Sequence, residues 1–381
     1  MTLYDTSDLS INHNNYEKYF SIFPELKILM TTPQDSYYHA EGDVWTHTKM
    51  VLESLLQLDE YVSANDDDRE IMFISALLHD ISKPACTVHE DDGRITSKGH
   101  SKRGAIDARI MLWRKNYPFE KREKICNIIA THQVPFFAFD DKPRDGKLAR
   151  TPEFIAISLS WQLPLHCLLA VAKADMLGRD YAEKQKSMDD IYLFEEICKD
   201  LDCYNKKYSF PDNVTKMEYF LTNGAISPNY PFFKNTASNV FVMCGIPASG
   251  KSTWVKKNHP DLPVVSFDDA KEVLGLKQGE NHGSAYQMVV TMAKEYLRKS
   301  QPFIWDATHL SPLMRNKTLN LLLDYNANIT LVYCEQQESI IKARNISRNT
   351  TLTNKKIDEM LFKWEVPTEH ETHSIIYEIN K

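Results

Sequence analysis

The sequence predicts two domains in series, an all-helical one followed by an α/β one built on a parallel sheet. Three observations carry that reading. From about residue 16 to residue 222 the apolar residues recur mainly at helical spacing. From Asn239 onward short apolar runs alternate with helical patterns, which argues for a parallel sheet with helices on both faces. Between them lies Asn223-Gly-Ala-Ile-Ser-Pro and a further run of turn formers. The 381 residues are long enough for two domains, and the expected division is 1–224, a linker at 225–238, and 239–381.

Hydrophobic residues make up 43% and charged residues 25% of the chain, which suits a soluble globular protein and excludes a disordered one. No apolar run reaches the length of a membrane span, and the polar, acidic start MTLYDTSDLSINHNN lacks the pattern of a signal peptide. The seven cysteines form no C-x-x-C pair, so reduced thiols and a cytoplasmic setting are expected. Net charge is −7; residues 239–381 carry 17 Lys and Arg against 16 Asp and Glu, which leaves −8 on the rest. That balance argues against coating a duplex by charge, but not against gripping the end of a strand.

In chain order, a helix is expected near Tyr16–Met30, ended by Thr31-Thr-Pro. After Tyr38-His-Ala-Glu-Gly-Asp-Val-Trp-Thr-His47 comes a helix whose apolar face uses Val44, Met50, Val51, Leu55 and Leu58. Ile71 to Leu78 form a strongly apolar helix that runs into His79-Asp80 before Pro84. Alone, that dipeptide reads as a surface pair, and each histidine alone as a hydrogen-bonded core residue. With His100, His132 and Asp175 on further apolar helical stretches, the set reads as an assembled metal site. Imidazole and carboxylate together suit transition metals, and one carboxylate can bridge two ions. Two ions can activate water and hold a phosphoryl oxygen. Residues 181–222 continue the helical pattern, with Ile191, Phe194, Ile197 and Leu201 on one face.

The order H…HD…H…H…D resembles the HD phosphohydrolase superfamily. The phrases HAEGDVWTH, LLHDISKP, GHSKRGA and ADMLGR are similar to the HD domain of bacterial tRNA nucleotidyltransferases across about residues 38–180. The resemblance implies His47, His79, Asp80 and Asp175 around one metal. His100 and His132, with Asp80 bridging, would hold a second. Lys83 and Arg179 would face the substrate phosphate. The nitrogen-rich set implies a transition metal such as Mn²⁺, Co²⁺ or Ni²⁺.

In the second half, Gly245-Ile-Pro-Ala-Ser-Gly-Lys-Ser252 fits G-x-x-x-x-G-K-[ST] at every fixed position, between an apolar strand (239–244) and a helix. Gly245, Ala248, Ser249, Gly250, Lys251, Ser252 and Thr253 would cradle the phosphates of ATP or another NTP, with Ser252 on Mg²⁺. Val264 to Lys271 reads as a second strand ending in Asp268, Asp269 and Lys271. Pro302 to Asp306 reads as a third, followed by a polar tip and a helix with Arg315. Arg344 and Arg348 are four apart and are expected on one helical face. A strand-tip carboxylate can take a hydroxyl proton, and paired arginines can stabilise a transferring phosphoryl group. Ile329 to Cys334 and Ser374 to Ile379 read as further strands, with helices from Gln337 and Ile357.

Residues 239–381 resemble the phage-type 5′-OH polynucleotide kinases. In that likeness Asp268 corresponds to the general base, Asp306 to the structural carboxylate, and Arg344 and Arg348 to the lid arginines. Arg315 matches the arginine downstream of the Asp-x-Thr-Asn element, here Asp306-Ala-Thr-His309. The Asp-x-x-Arg arginine that grips the acceptor is Lys271 here, which keeps the charge but not the bidentate fork. An HD domain fused to such a kinase resembles the HD-Pnk family of nucleic-acid end-healing enzymes. The resemblance implies 5′-OH phosphorylation by an NTP, removal of 2′,3′ phosphate, and action on RNA ends or, alternatively, DNA ends. It implies the cytoplasm of a bacterium or phage-infected host. A separate RNA ligase would act downstream, since this chain shows no KxDG motif. A homodimer is left open. Two other readings stand beside it: a small-molecule kinase joined to an HD nucleotidase, and an NTP-responsive binding module without catalysis.

Overall fold

A computed structural model describes residues 17–140, 150–276, 283–348 and 352–380. The chain divides into two compact units, Met1–Ser209 and Phe210–Lys381. The opening 16 residues, with the polar start and Tyr16, lie outside the described residues.

Among the described residues the first unit is helical apart from a two-stranded antiparallel hairpin, β1 (Val88–His89) and β2 (Ile95–Thr96). The first expected helix is two pieces, α1 (Glu17–Ile22) and a 3-10 turn (Pro24–Thr31), because Pro24 starts a new turn after Phe23. Then come α2 (Val44–Leu55), α3 (Asp59–Val62), α4 (Asp66–Leu78), α5 (Lys83–Cys86), α6 (His100–Arg114), α7 (Phe119–Thr131), α8 (Pro152–Ser160), α9 (Leu165–Leu177) and α10 (Lys184–Asp200). Asp43 caps α2 by accepting from Thr46 N, and Asn65 caps α4 by accepting from Asp68 N. Leu58, expected on the face of α2, lies past its end and precedes α3. No single helix is long and apolar enough to cross a membrane among the described residues. The apolar pair α8 and α9 meets at 117° and is largely buried.

The second unit begins with α11 (Asn213–Leu221). Its Lys216 is buried and donates to the Glu369 and His373 carbonyls, and its Thr215 hydroxyl accepts from Phe232 N. These bonds place α11 and the segment expected as a linker, 225–238, inside the second unit rather than before it. The sheet is five-stranded and parallel throughout, in the order β4 (Val264–Ser266), β5 (Phe303–Asp306), β3 (Asn239–Cys244), β6 (Asn328–Glu335), β7 (Ser374–Ile379). Helices α12 (Lys251–Asn258), α13 (Phe267–Val273), α14 (Gly283–Arg298), α15 (Pro312–Asp324), α16 (Glu338–Ser347) and α17 (Asn354–Leu361) complete it. Val240, Val242, Phe303, Trp305 and Ile329 are buried against Val289, Ala293 and Leu297 of α14. The central strand β3 therefore delivers its following loop to the middle of the sheet's C-terminal edge, where ligands of open parallel sheets sit.

In the first unit the close approach of α2 and α9 depends on Gly178. A Cβ there would stand 2.6 Å from Val51 N and 2.8 Å from Val51 Cα. Gly178 has an ordinary φ of −74°, so the demand is for space and not for backbone freedom. Gly178→Ala is expected to destabilise the protein by about 1–3 kcal/mol, the range for overpacking. Urea unfolding measures it; an unchanged midpoint would show that the two helices separate freely.

Candidate active sites

The first site is assembled from five helices and their ends. His47 is in the first turn of α2, and His79 and Asp80 follow the C-terminus of α4. His100 opens α6, His132 follows α7, and Asp175 is near the end of α9. All six side chains are buried. Asp80 is central: Oδ1 lies 3.2 Å from His100 Nε2, while Oδ2 lies 3.1 Å from His79 Nε2 and 2.7 Å from Lys83 Nζ. Neither oxygen makes a well-directed hydrogen bond. His47 Nε2 is 3.1 Å from Asp175 Oδ1 and 3.4 Å from His79 Nε2, and His132 Nε2 is 3.9 Å from Asp175 Oδ2. Two groups of ligand atoms therefore share Asp80: His47 and His79 on one side, His100 and His132 on the other.

The ring orientation fits metal binding. His79 Nδ1 faces Ala76 O at 2.7 Å, His100 Nδ1 faces Ser97 O at 2.7 Å, and His132 Nδ1 faces Ile129 O at 2.8 Å. In each case the carbonyl three residues earlier accepts the Nδ1 proton, which leaves an Nε2 lone pair aimed inward. Burial lowers the His132 pKa to about 3, so its imidazole is neutral. Burial would raise the Asp80 pKa, but the neighbouring His79 and Lys83 hold it well below the usual carboxylate range. Burial likewise opposes the charge on Asp175, and Arg179 and His47 hold it low. Neutral imidazoles and ionised carboxylates are the forms a metal requires. His132 already has that form, whereas at His47 burial is outweighed by Asp175 and Glu41, which raise its pKa, so a metal there would displace the His47 proton.

Lys83 and Arg179 reach the site by binding the expected metal carboxylates. Lys83 Nζ is also 2.5 Å from Gln34 Oε1, and Arg179 makes bonds of 2.8–3.0 Å to both Asp175 oxygens while its guanidinium lies over the Phe136 ring. The sequence reading missed Glu41 and His39. Glu41 Oε1 is 2.9 Å from His47 Nδ1 and 2.8 Å from His39 Nδ1, and Glu41 Oε2 accepts from Asp180 N at 3.0 Å. Both stand in the phrase HAEGDVWTH, but a turn at Gly42 (φ +109°) separates them from α2, so helical spacing gave no link to His47.

The second site lies at the sheet's C-terminal edge. The P-loop fits its motif conformationally: Gly245 has φ +142°, and a Cβ there would stand 2.3 Å from Cys334 O. Ala248 and Gly250 also have positive φ. Gly245 N donates to Thr308 O, which ties the loop to the tip after β5. Lys251 Nζ donates to Gly245 O and Ile246 O, and burial lowers its pKa. Ser252 and Thr253 are exposed in the first turn of α12, while the Ser249 hydroxyl is buried. Burial raises the pKa of Asp306, helped by Asp268 and Asp269 and opposed by Lys251 and Arg348.

Two expectations change here. Asp268, Asp269 and Lys271 do not end a strand: β4 stops at Ser266, whose hydroxyl caps α13 by accepting from Asp269 N. Asp268 is exposed and pairs with Lys271 at 2.6 Å. Arg344 and Arg348 do not share a helical face, because α16 ends at Ser347 and Arg348 is extended (φ −84°, ψ 147°). Arg344 still reaches the P-loop, with Nη1 3.3 Å from Ala248 O. Arg315, expected as an acceptor or support residue, is fully buried. Its Nε and Nη2 bind Glu371 at 2.6 and 2.8 Å, and its Nη1 donates to His309 O and Glu365 O. His309, at the Asn position of the likeness, is buried with its ring between Met243 O and the Thr318 hydroxyl.

Comparison with known proteins agrees with this division. Residues 44–158 match the HD domain family and residues 240–367 an AAA domain family. The chain thus carries an HD domain followed by a P-loop kinase-like domain. It is 33% identical over 97 residues to a multifunctional CCA protein of Pasteurella multocida, covering 26% of this chain and 22% of that one. It is 28% identical over 178 residues to a CC-adding tRNA nucleotidyltransferase of Thermus thermophilus, covering 46% and 36%. The chain therefore spans only about a fifth to just over a third of the length of these curated relatives. Among solved structures, a gluconokinase from Sinorhizobium meliloti superposes with a TM-score of 0.28 at 17% identity, over 38% of this chain and 84% of that one.

Glu41→Gln is expected to reduce affinity for Mn²⁺ by roughly 10–100-fold, the usual cost of losing a carboxylate behind a ligating imidazole. Calorimetric titration of chelator-stripped protein reads this directly. Unchanged affinity would reduce Glu41 to a packing residue.

Proposed function

We propose that the chain is a bifunctional nucleic-acid end-healing enzyme, a metal-dependent 2′,3′ phosphohydrolase in the HD domain and an NTP-dependent 5′-OH polynucleotide kinase in the P-loop domain. The observation that carries the reading is Asp80, one buried carboxylate with its two oxygens turned to different histidine pairs. That layout suits two neighbouring cations and hence a phosphate ester. His47, His79, Asp80, Asp175, His100 and His132 would hold divalent ions, whose chemistry would be to acidify a water and polarise a phosphoryl oxygen. Around them Lys83 and Arg179 present positive charge to the substrate phosphate, and Glu41 keeps His47 in one orientation.

In the kinase half the 5′-oxygen attacks the γ-phosphorus of the NTP, the bond from that phosphorus to the β–γ bridging oxygen breaks, and the nucleoside diphosphate leaves. Asp268, exposed at the start of α13, takes the hydroxyl proton. Lys251 turns from the Gly245 and Ile246 carbonyls to phosphate oxygens, and Arg344 and Arg348 stabilise the transferring charge. Ser252 would offer its hydroxyl to Mg²⁺, which would supply positive charge against the nucleotide phosphates. RNA 2′,3′-phosphate ends with 5′-OH partners are the proposed substrates, and their products suit a separate ligase.

The two activities should separate. Asp268→Ala is expected to lower 5′-OH phosphorylation by 10²-fold or more, the scale of general-base loss, and to leave 2′,3′ phosphate removal intact. Asp80→Ala is expected to do the reverse. Labelled γ-phosphate transfer to 5′-OH RNA, DNA and nucleosides, with 3′-end status read in the same tube, decides it. Transfer only to small alcohols would favour a small-molecule kinase, and no transfer or hydrolysis would leave a binding module.

The metal requirements should also differ. After chelation, Mn²⁺, Co²⁺ or Ni²⁺ should restore the phosphohydrolase and Mg²⁺ should not, since imidazole nitrogens dominate its ligand set. Mg²⁺ should support the kinase. Equal Mg²⁺ support for both activities would overturn the assignment of the histidine site.

A further inference from the structure

Beside the HD site is a cluster of tyrosines to which the proposed hydrolysis gives no role. Tyr37 and Tyr38 are 51% and 43% exposed, and Tyr181 is half-buried. Their ring centroids are 4.9 Å apart for Tyr37–Tyr38, 5.6 Å for Tyr37–Tyr181 and 5.3 Å for Tyr38–Tyr181. The rings are not stacked flat: Tyr37 meets the other two edge-on, at 88° and 62°. The Arg94 guanidinium lies 5.4 Å from both the Tyr37 and Tyr38 centroids. Asp35 holds it there with bonds of 2.6 and 3.0 Å, and also accepts from Ile95 N and Tyr37 N.

The cluster is built into the metal site's own supports. Gln34, three residues before Tyr37, binds the Lys83 ammonium that lies on Asp80. His39, next to Tyr38, is joined through Glu41 to His47. Tyr181 is two residues past Arg179, which grips Asp175. The two turns that carry the tyrosines are hydrogen-bonded to each other, Ala40 N to Asp180 O at 3.1 Å and Asp180 N to Glu41 Oε2 at 3.0 Å. A cation clamped by a carboxylate, with aromatic rings half open to solvent, is not a core arrangement. A packed core would cover these rings; here they are part-exposed on the turns that support the histidine cluster.

We propose that Tyr37, Tyr38 and Tyr181, braced by Arg94, form a stacking platform for the nucleobase of the terminal nucleotide whose 2′,3′ phosphate enters the HD site. The inference rests on the phosphohydrolase reading and extends it to the base. Aromatic faces and a guanidinium plane hold any of the bases by stacking, so the platform selects nucleotides over simple phosphate esters without selecting sequence. The rings act on binding and take no part in bond making.

The test compares adenosine 2′,3′-cyclic phosphate with the base-free 1-O-methylribose 2′,3′-cyclic phosphate on the whole, Mn²⁺-loaded protein. Wild type should show a KM lower for the adenosine ester by roughly tenfold or more, within the range for one stacked base. In Tyr37→Leu and Tyr181→Leu that ratio should collapse toward one, while Tyr37→Phe should keep it and Tyr230→Leu, on the second unit, should not alter it. A wild-type ratio of one, or a ratio indifferent to the leucine variants, would overturn the platform. If wild type hydrolysed neither ester, the phosphohydrolase reading would fall. Calorimetric binding of adenosine 2′-monophosphate against ribose 2-phosphate, in wild type and Tyr37→Leu, then decides the platform alone. Preference for the adenosine ligand that is lost in Tyr37→Leu sustains it, and equal binding rejects it.

Discussion

An ionised carboxylate buried among imidazoles is the constraint on which the first unit depends. Removing a single charge from water costs several kcal/mol even after relaxation, and Asp80 is 2% exposed. The cost is offset only because nitrogens from several helices converge on it. Each of those helices ends or begins at the site: α4 stops before His79, α6 starts at His100, and α7 stops before His132. A helix end leaves backbone carbonyls without intrahelical partners. The nearby Ala76 and Ile129 carbonyls bind the ring N–H of His79 and His132. One device thus satisfies carbonyls at the end of a helix, fixes the imidazole tautomer and aims the other nitrogen inward.

The second unit solves a different problem, holding phosphate without a dedicated cage of side chains. Its anchor is steric. The Cys334 carbonyl of β6 passes where a Gly245 Cβ would be, so the loop after β3 must start with glycine to turn under the neighbouring strand. Arg315 then fixes the wall beyond. It is buried, and its bonds to Glu371, His309 O and Glu365 O hold the tip after β5 to the segment that leads into β7. A buried pair such as Arg315 and Glu371 gives little net stability over an apolar pair, but removing one partner strands the other. Its contribution is to define position, and the position defined is that of Asp306 and His309 near the P-loop.

Much of this was legible in the sequence because it depends on local rules. The five strands, the P-loop and the helices carrying His47, His79 and Asp175 follow from apolar spacing and turn chemistry. What escaped has non-local causes. Residue spacing could not show that Ser266 caps a helix and so moves Asp268 off the strand, since strand and helix both admit Phe267 and Asp268. The Arg344–Arg348 spacing fitted a helix that in fact ends at Ser347. Glu41 and His39 were invisible because their link to His47 crosses the Gly42 turn. Lys216 was invisible as a boundary marker, since its partners, the Glu369 and His373 carbonyls, are more than 150 residues away. The site residues themselves rested on a resemblance. Geometry adds to it the division of Asp80 between two histidine pairs and the engagement of Lys83 and Arg179 with the carboxylates.

The two units also differ in how they handle charge. In the first, charged groups are buried and neutralise one another: Lys83 on Asp80, Arg179 on Asp175, and His47 on Glu41, with His39, kept neutral by burial, hydrogen-bonded to the same Glu41 oxygen. Such a site favours a ligand that can replace those partners with stronger ones, and a phosphate can draw Lys83 and Arg179 only where cations take over the carboxylates. In the second, the groups that would meet an acceptor, Asp268 and Lys271, stand near solvent and hold each other weakly, as exposed ion pairs do. Little has to be broken there before a hydroxyl is engaged. Under the proposed function, burial would make metal precede substrate at the HD site, whereas exposure would leave the P-loop site open to an acceptor once a nucleotide is held. That difference in order would follow from where each set of carboxylates sits relative to water.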